Sequence, residues 1–257
     1  NLRLYGEHRG VLDIGNVLYE HPGEIDFSAA GAEPLVFNDD ISKYVTDNDP
    51  RSIEFEVQAE GDEVTENAGL VSCGGNYTEI FSINFGSHDS GNVGAKLWIN
   101  CYHDDGTNHP GRFNVHVNQQ GQWHKSDTDE TFPDQYWTDT PTVFDDGQWR
   151  KVEVTYESRV VTVTVSGRLE LRFRTKADIK TGYGGLVIGA FKDFTNTNAY
   201  SAPFGGRMRK VKLYDHKLSA TGVSTTANPH ANSSLTDPTQ RDPTAWFGDP
   251  SFYEGVD

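Results

Sequence analysis

Three stretches carry, at alternate positions, the residue types that handle sugars. Ser82 and Asn84 alternate within Glu79 to Phe85. Trp98, Asn100 and Tyr102 alternate within Lys96 to His103, and Asn114, His116 and Asn118 within Arg112 to Asn118. A carboxamide donates and accepts at once, as a sugar hydroxyl does, and a flat aromatic ring covers the apolar face of a pyranose. A face that merely met water would be filled with charges or Thr. The spacing therefore predicts a glycan groove built from Ser82, Asn84, Trp98, Asn100, Tyr102, Asn114, His116 and Asn118. The competing expectation is a second polar layer covered by residues 119–144.

The same residues bear on catalysis. Eliminative cleavage of a uronate polymer needs a group to neutralise the carboxylate, a base for the C5 proton and an acid for the leaving oxygen. Asn114 and His116, two residues apart on one strand face, supply an amide and an imidazole. Hydrolysis instead needs two carboxylates facing each other across a groove. Glu54 and Glu56 share a strand face but have no apolar or aromatic lining, which is the pattern of a solvated edge. Asp104-Asp105-Gly106, Asp145-Asp146-Gly147 and Asp193 offer oxygen ligands for Ca²⁺, although Asp-Gly is equally the chemistry of a hairpin turn. No cofactor is required by any of these readings. There is no His/Cys spacing for zinc and no glycine-rich phosphate loop, and His88, His103, His109, His124 and His216 are scattered.

Stepping from these residues to the elements that must hold them, the chain reads as all-β. In Arg51 to Gln58, Ile53, Phe55 and Val57 alternate with Ser52, Glu54, Glu56 and Gln58, as in a strand with one buried face. In the candidate site strands the interleaved set, Phe81, Ile83, Phe85, then Leu97, Ile99, Cys101, then Phe113, Val115, Val117, belongs to the core. Asp145 to Leu218 reads as one uninterrupted antiparallel unit: a turn and strand through Tyr156, a strand Val160 to Val165, a two-residue turn at Ser166-Gly167, and a strand Arg168 to Thr175. Gly185 to Phe191 and a closing strand ending at Leu213-Tyr214-Asp215 complete it. Residues 1–50 hold an opening strand or two, including Val11-Leu12-Asp13-Ile14 and Pro34-Leu35-Val36-Phe37. Residues 119–144 form a long loop, or a hairpin of poor periodicity, with Trp123, His124, Phe132, Tyr136 and Trp137. From Ser219 to Asp257 the composition is that of a polar, extended tail, with Trp246, Phe247, Phe252 and Tyr253 placed to pin its end.

Composition narrows the partners. A formal net charge of -16 in 257 residues repels nucleic-acid backbones and anionic membrane surfaces, and it disfavours an anionic substrate unless the basic residues gather in one groove. No apolar run approaches the ~18 residues that span a bilayer, so membrane insertion is not expected. Aromatic residues at 12% compensate for a hydrophobic share of only 35%. Cys73 and Cys101 fall in strand-like stretches, where a cross-sheet disulfide and two buried thiols are both open. Asn76-Tyr77-Thr78 and Asn232-Ser233-Ser234 match the glycosylation acceptor pattern.

The turn Asp-Gly-Gln-Trp at 146–149, the hairpin ending in Ser166-Gly167-Arg168-Leu169, the Gly-Leu-Val-Ile-Gly stretch at 185–189, and Phe-Gly-Gly-Arg at 204–207 leading to Leu213-Tyr214-Asp215 resemble a laminin-G-like, concanavalin-A-like domain. The resemblance implies an antiparallel β-sandwich of the jelly-roll type over residues 1–218, with glycan binding or adhesion as the common employment. Ca²⁺ at a rim is a further property it implies. Asn114-Val115-His116 is also similar to the Gln-Ile-His strand of jelly-roll alginate lyases, and Ala190-Phe191-Lys192 to part of their late Tyr-Phe-Lys strand. Carried over, His116 would be the base and Asn114 the neutraliser. The late Tyr is Ala190 here, so Tyr102 would have to serve as the acid.

The expectation is thus a secreted or surface-exposed domain whose partner is a polysaccharide. Its alternatives are a lyase acting on a uronate polymer and a structural subunit of an extracellular assembly or virion. Oligomeric state is left open.

Overall fold

A computed structural model describes residues 17–29, 32–37, 43–45, 48–61, 68–75, 78–86, 96–103, 111–117, 123–126, 128–129, 131–179, 185–192, 200–201 and 203–218. Among them there is no α-helix, and none long and apolar enough to cross a membrane. The tail from Ser219, Val11 to Ile14, Asn118, both glycosylation-pattern asparagines, and Asp104, Asp105 and Asp193 lie outside the described residues.

Two seven-stranded antiparallel sheets make a sandwich. The first runs β1 (Val17–Asp26), β16 (Arg207–Tyr214), β3 (Arg51–Gln58), β10 (Arg150–Glu157), β11 (Val160–Val165), β12 (Arg168–Arg174) and β9 (Tyr136–Trp137). The second runs β2 (Leu35–Phe37), β13 (Leu186–Ile188), β4 (Gly69–Gly75), β5 (Thr78–Phe85), β6 (Leu97–His103), β7 (Gly111–Val117) and β8 (Trp123–Ser126). A short pair, β14 (Phe191–Lys192) and β15 (Tyr200–Ser201), stands apart.

The period-2 pattern fills the space between the sheets. Ile53, Phe55 and Val57, Val152, Val154 and Tyr156, and Val161, Val163 and Val165 from the first sheet join Val71, Ile83, Phe85, Leu97 and Ile99 from the second in one core cluster. The hairpins at Ser158-Arg159 and Ser166-Gly167 have positive φ at both central residues, the backbone twist that two-residue hairpins require.

The glycines of the motifs meet steric demands. Gly189 sits at φ +86, and a Cβ there would lie 2.3 Å from the Phe27 ring. A Cβ on Gly206 would lie 2.4 Å from the Gln58 carbonyl oxygen. Phe27 and Phe204 close over this corner, with Phe27 N donating to Gly206 O and Phe204 N to Gly189 O, each at 2.9 Å. In the Asp-Gly-Gln-Trp turn, Arg150 clamps both Asp146 carboxylate oxygens at 2.5 and 2.6 Å. Trp149 lies under the Arg209 guanidinium, 4.0 Å from its ring centre, tying the turn to the closing strand.

Several expectations are corrected. Asp145 to Leu218 is not one uninterrupted unit: β10, β11 and β12 form a meander in the first sheet, β13 crosses to the second, and β16 returns to lie between β1 and β3. β3 is a central strand, so Glu54 and Glu56 are not at a sheet edge. Residues 119–144 do not form one loop, since they contain β8 at one edge of the second sheet and β9 at one edge of the first.

Candidate functional site

Strand register assembles the predicted groove residues into rows across the second sheet. Ser72 opposes Ser82, Ser82 opposes Asn100, Asn100 opposes Asn114 and Asn114 opposes Ser126, so a single row of small polar and amide residues crosses β4 to β8. On one side of it Asn84 opposes Trp98 and His116 opposes His124. On the other, Tyr102 opposes Arg112. Beside the rows, Val71, Ile83, Phe85, Leu97 and Ile99 enter the core cluster at the alternate positions of β4, β5 and β6.

At its β4–β5 end the ladder is enclosed. Ser72, Ser82 and Asn84 are fully buried and Trp98 is 5% exposed. Asn84 Nδ2 donates to Ser82 Oγ at 3.5 Å, while Asn84 Oδ1 is buried with no hydrogen-bond partner among the described residues. A buried acceptor left unpaired costs roughly 1–3 kcal/mol. A surface that only packed would be apolar, and one that only met water would be exposed. This end is neither.

The described part of the segment after β8 is engaged with the other sheet. Thr128 bridges to Thr175, and Asp129 N donates to Arg174 O at 2.7 Å. Phe132 then lies against Arg174 and Arg172, whose guanidinium carbons stand 4.5 and 5.9 Å from its ring centre. β9 pairs with β12, Thr138 N donates to Glu170 O, and Phe144 enters the core 5.1 Å from the Phe85 ring. Burial draws the Arg172 guanidinium down to about 10, with Arg174 adding to the effect and Asp134 opposing it.

For elimination chemistry, register brings Asn114 and His116 onto one strand but does not bring Tyr102 to them. Tyr102 opposes Arg112, which is four residues from His116 along β7, or about 14 Å at ~3.4 Å per residue. Ala190, where the alginate lyase motif has Tyr, is 1% exposed, and Lys192 opposes Tyr200 in the short β14–β15 pair.

The outer face of the first sheet is a lattice of ion pairs that single-strand reading missed. Lys151 Nζ is 2.8 Å from both Glu54 and Glu153, Lys212 bridges Glu20 and Glu54 at 3.4 and 3.8 Å, and Glu56 takes Arg209 at 2.5 Å and Lys210 at 2.7 Å. Tyr214 Oη donates to Glu54 at 2.6 Å. Lys210, at φ +53, is a bulge residue: it and Val211 oppose the single Phe55 of β3, while Pro22-Gly23 of β1 bulges beside it. The result is a cavity of about 430 Å³ lined by residues of β1, β16, β3 and β10. Burial pushes the Glu54 and Glu56 carboxyls up, but their cation and hydroxyl donors outweigh it and hold both below the usual range. Both stay ionised, so neither is the raised-pKa acid that hydrolysis uses. The pairing of β16 with β3 is what brings Arg209 and Lys210 to Glu56, about 150 residues apart in sequence.

Among the described residues no group of three or more His, Cys, Asp or Glu is placed to hold a metal ion, and the Asp146 carboxylate is occupied by Arg150. Cys73 and Cys101 are on β4 and β6, with β5 between them. Two strand spacings are about 10 Å, against the ~7 Å between Cα atoms that a disulfide bridges.

Residues 58–224 match the family model of the Concanavalin A-like lectin/glucanases superfamily. The chain belongs to this superfamily. None of the curated proteins matches it. Among solved structures, this superfamily member is similar to the Ruminococcus gnavus IT-sialidase CBM40 bound to α2,3 sialyllactose, with 14% identity, a TM-score of 0.46, and 74% of this chain and 93% of that chain covered. It is also similar to domain 4 of AbnA, a GH43 extracellular arabinanase from Geobacillus stearothermophilus in complex with arabinotriose, with 16% identity, a TM-score of 0.41, and coverage of 80% and 87%. Mouse laminin alpha1 domains LG4-5 give 14% identity, a TM-score of 0.44, and coverage of 80% and 46%. The two-sheet sandwich is the architecture that the superfamily assignment calls for.

Proposed function

We propose that this concanavalin A-like domain is a glycan-binding module and that its binding surface is the polar ladder of β4 to β8. The observation that carries the reading is the unbroken row Ser72, Ser82, Asn100, Asn114, Ser126, beside which Asn84 holds a buried carbonyl oxygen with no partner among the described residues. Amide and hydroxyl residues thus recur at paired positions of neighbouring strands, at the ~5 Å strand spacing, which suits a chain of sugar hydroxyls. Trp98 supplies the aromatic component of the same surface. A polysaccharide partner implies a setting outside the cell.

The test is retention on a panel of immobilised polysaccharides, neutral and acidic. Trp98 is too buried to be a clean probe, because its removal would leave a cavity. Asn100→Ala and Asn114→Ala are the informative variants. Each is expected to weaken binding about tenfold, the equivalent of ~1.4 kcal/mol, while leaving the melting temperature within a few degrees. Failure of the wild-type protein to bind any glycan, or full retention by both variants, would overturn the assignment. The same incubations followed for the ultraviolet absorbance of unsaturated uronates test the alternative of a lyase, for which a rise abolished by His116→Ala would speak.

A further inference from the structure

Two neighbouring strands of the first sheet are irregular at the same place. Register slips between His21 and Glu24 on β1 and between Arg209 and Lys212 on β16, so Lys210 falls where the ladders on both sides of β16 are interrupted. It holds φ +53, a conformation that a lysine rarely adopts. A bulge puts consecutive residues on one face, and here Arg209 Nε and Lys210 Nζ both reach Glu56, at 2.5 and 2.7 Å. A regular strand would turn Lys210 toward the core. Bulges and strained backbones that re-aim a side chain in this way recur beside functional sites.

The cavity of about 430 Å³ lies at these bulges and is within the ~300–1,000 Å³ span of small-ligand pockets. Its charged lining is Glu20, Glu54, Glu56, Lys151, Lys210 and Lys212, three carboxylates against three ammoniums. Glu54 and Glu56 stay ionised, so the charges cancel at neutral pH. Lys210 and Lys151 are 57% and 42% exposed, whereas Glu56 and Glu54 are 17% and 15%. The ammoniums therefore stand at the mouth and these carboxylates on the floor.

This arrangement discriminates among ligands. An anion drawn to the mouth would face the carboxylates beneath, and a cation would meet the ammoniums first. Either would compete with ion pairs already made at 2.7 and 2.8 Å. An apolar ligand would strip water from charges. A neutral polyhydroxyl ligand does none of these. Among the described residues, Lys210 Nζ directs one of its three N–H groups to Glu56, and Glu20 has only the 3.4 Å contact of Lys212. A sugar hydroxyl accepts from the first and donates to the second.

We propose that this cavity is a second sugar site, on the sheet opposite the ladder, and that it takes a neutral sugar unit whose hydroxyls accept from Lys210 and donate to Glu20. It does not depend on the ladder being a site. The test is calorimetric titration of neutral mono- and disaccharides of hexoses and pentoses into the full chain carrying Asn100→Ala and Asn114→Ala, so that the ladder is impaired. Saturable binding at one site per chain is expected for at least one of them. Adding Lys210→Gly removes the ammonium and suits the positive φ, and it is expected to weaken this binding about tenfold while the melting temperature holds or rises. Adding Glu20→Ala instead should weaken it several-fold, also without loss of the melting transition. Inorganic phosphate and glycine, as anionic and zwitterionic probes, are expected not to displace the sugar. No saturable binding of any neutral saccharide, a folded Lys210→Gly chain that binds as before, or displacement by phosphate or glycine would overturn the proposal. The ladder is judged separately, by retention of the wild-type chain and of the single Asn100→Ala and Asn114→Ala variants on polysaccharides.

Discussion

At the scale of single residues, the motif positions are held by steric and electrostatic requirements that can be tested one at a time. Gly189→Ala combines a left-handed backbone with a Cβ driven into the Phe27 ring. Strain of about 1–2 kcal/mol and overpacking of about 1–3 kcal/mol sum to roughly 2–5 kcal/mol. The denaturation midpoint should fall accordingly, and an unchanged midpoint would mean that the corner around Phe27 and Phe204 is looser than described. Asp146 makes a pH-dependent contribution. The Arg150 guanidinium holds its carboxyl down to about 2 from 3.8. A depressed folded-state pKa contributes stability above the unfolded value that is lost as pH falls through the folded one. Asp146→Asn is therefore expected to lower the melting temperature by a constant amount above about pH 4, with the gap to wild type closing toward pH 2. A gap that persisted at the acid end would show that the Asn variant acts by another route.

At the scale of elements, the segment between β8 and β10 joins the two sheets along one side of the sandwich. Its aromatic residues, conspicuous in the sequence, are spent on this: Trp123 and Trp137 pack against the core, Phe132 lies on two arginines and Phe144 is buried. The sequence marks these rings as ordered without marking where they go, because strands of four and two residues carry too few alternations to reveal a face. The placement of the cysteines is likewise an element-level result. With β5 between β4 and β6, unfolded protein is expected to titrate with two thiols per chain, reduced or not, and to gain no mass on reduction. A single intramolecular disulfide found by mass spectrometry would require a different strand order.

At the scale of the whole molecule, closure depends on pairing the two ends of the described chain. β16 lies between β1 and β3, and its hydrogen-bonded and ionic partners include Glu54 and Glu56, over 150 residues earlier. Chain ending before Phe204 would leave two edges and half of the ion lattice unpartnered, so it is expected to lose cooperative thermal unfolding altogether. A sharp melting transition in residues 1–203 would refute the central role of this strand. The sandwich also separates charge, with carboxylates gathered on the outer face of the first sheet and the amide ladder on the second.

The sequence by itself determined the class of fold and the composition of the ladder. Alternation with a period of two is a local property, and Ser82, Asn84, Trp98, Asn100, Asn114 and His116 could be read as one set of alternate positions because each strand spans seven or eight residues. The hairpin at Ser166-Gly167 was equally legible, since its positive φ values need only the two turn residues. Tertiary structure alone decided which strands are neighbours. Register across β4 to β8 joined Ser72 and Ser126 to the ladder, placed Tyr102 opposite Arg112 and put β5 between the strands of Cys73 and Cys101. These are relations between segments tens of residues apart, and the free energy that fixes them is shared across the buried faces of both sheets rather than written in any one stretch.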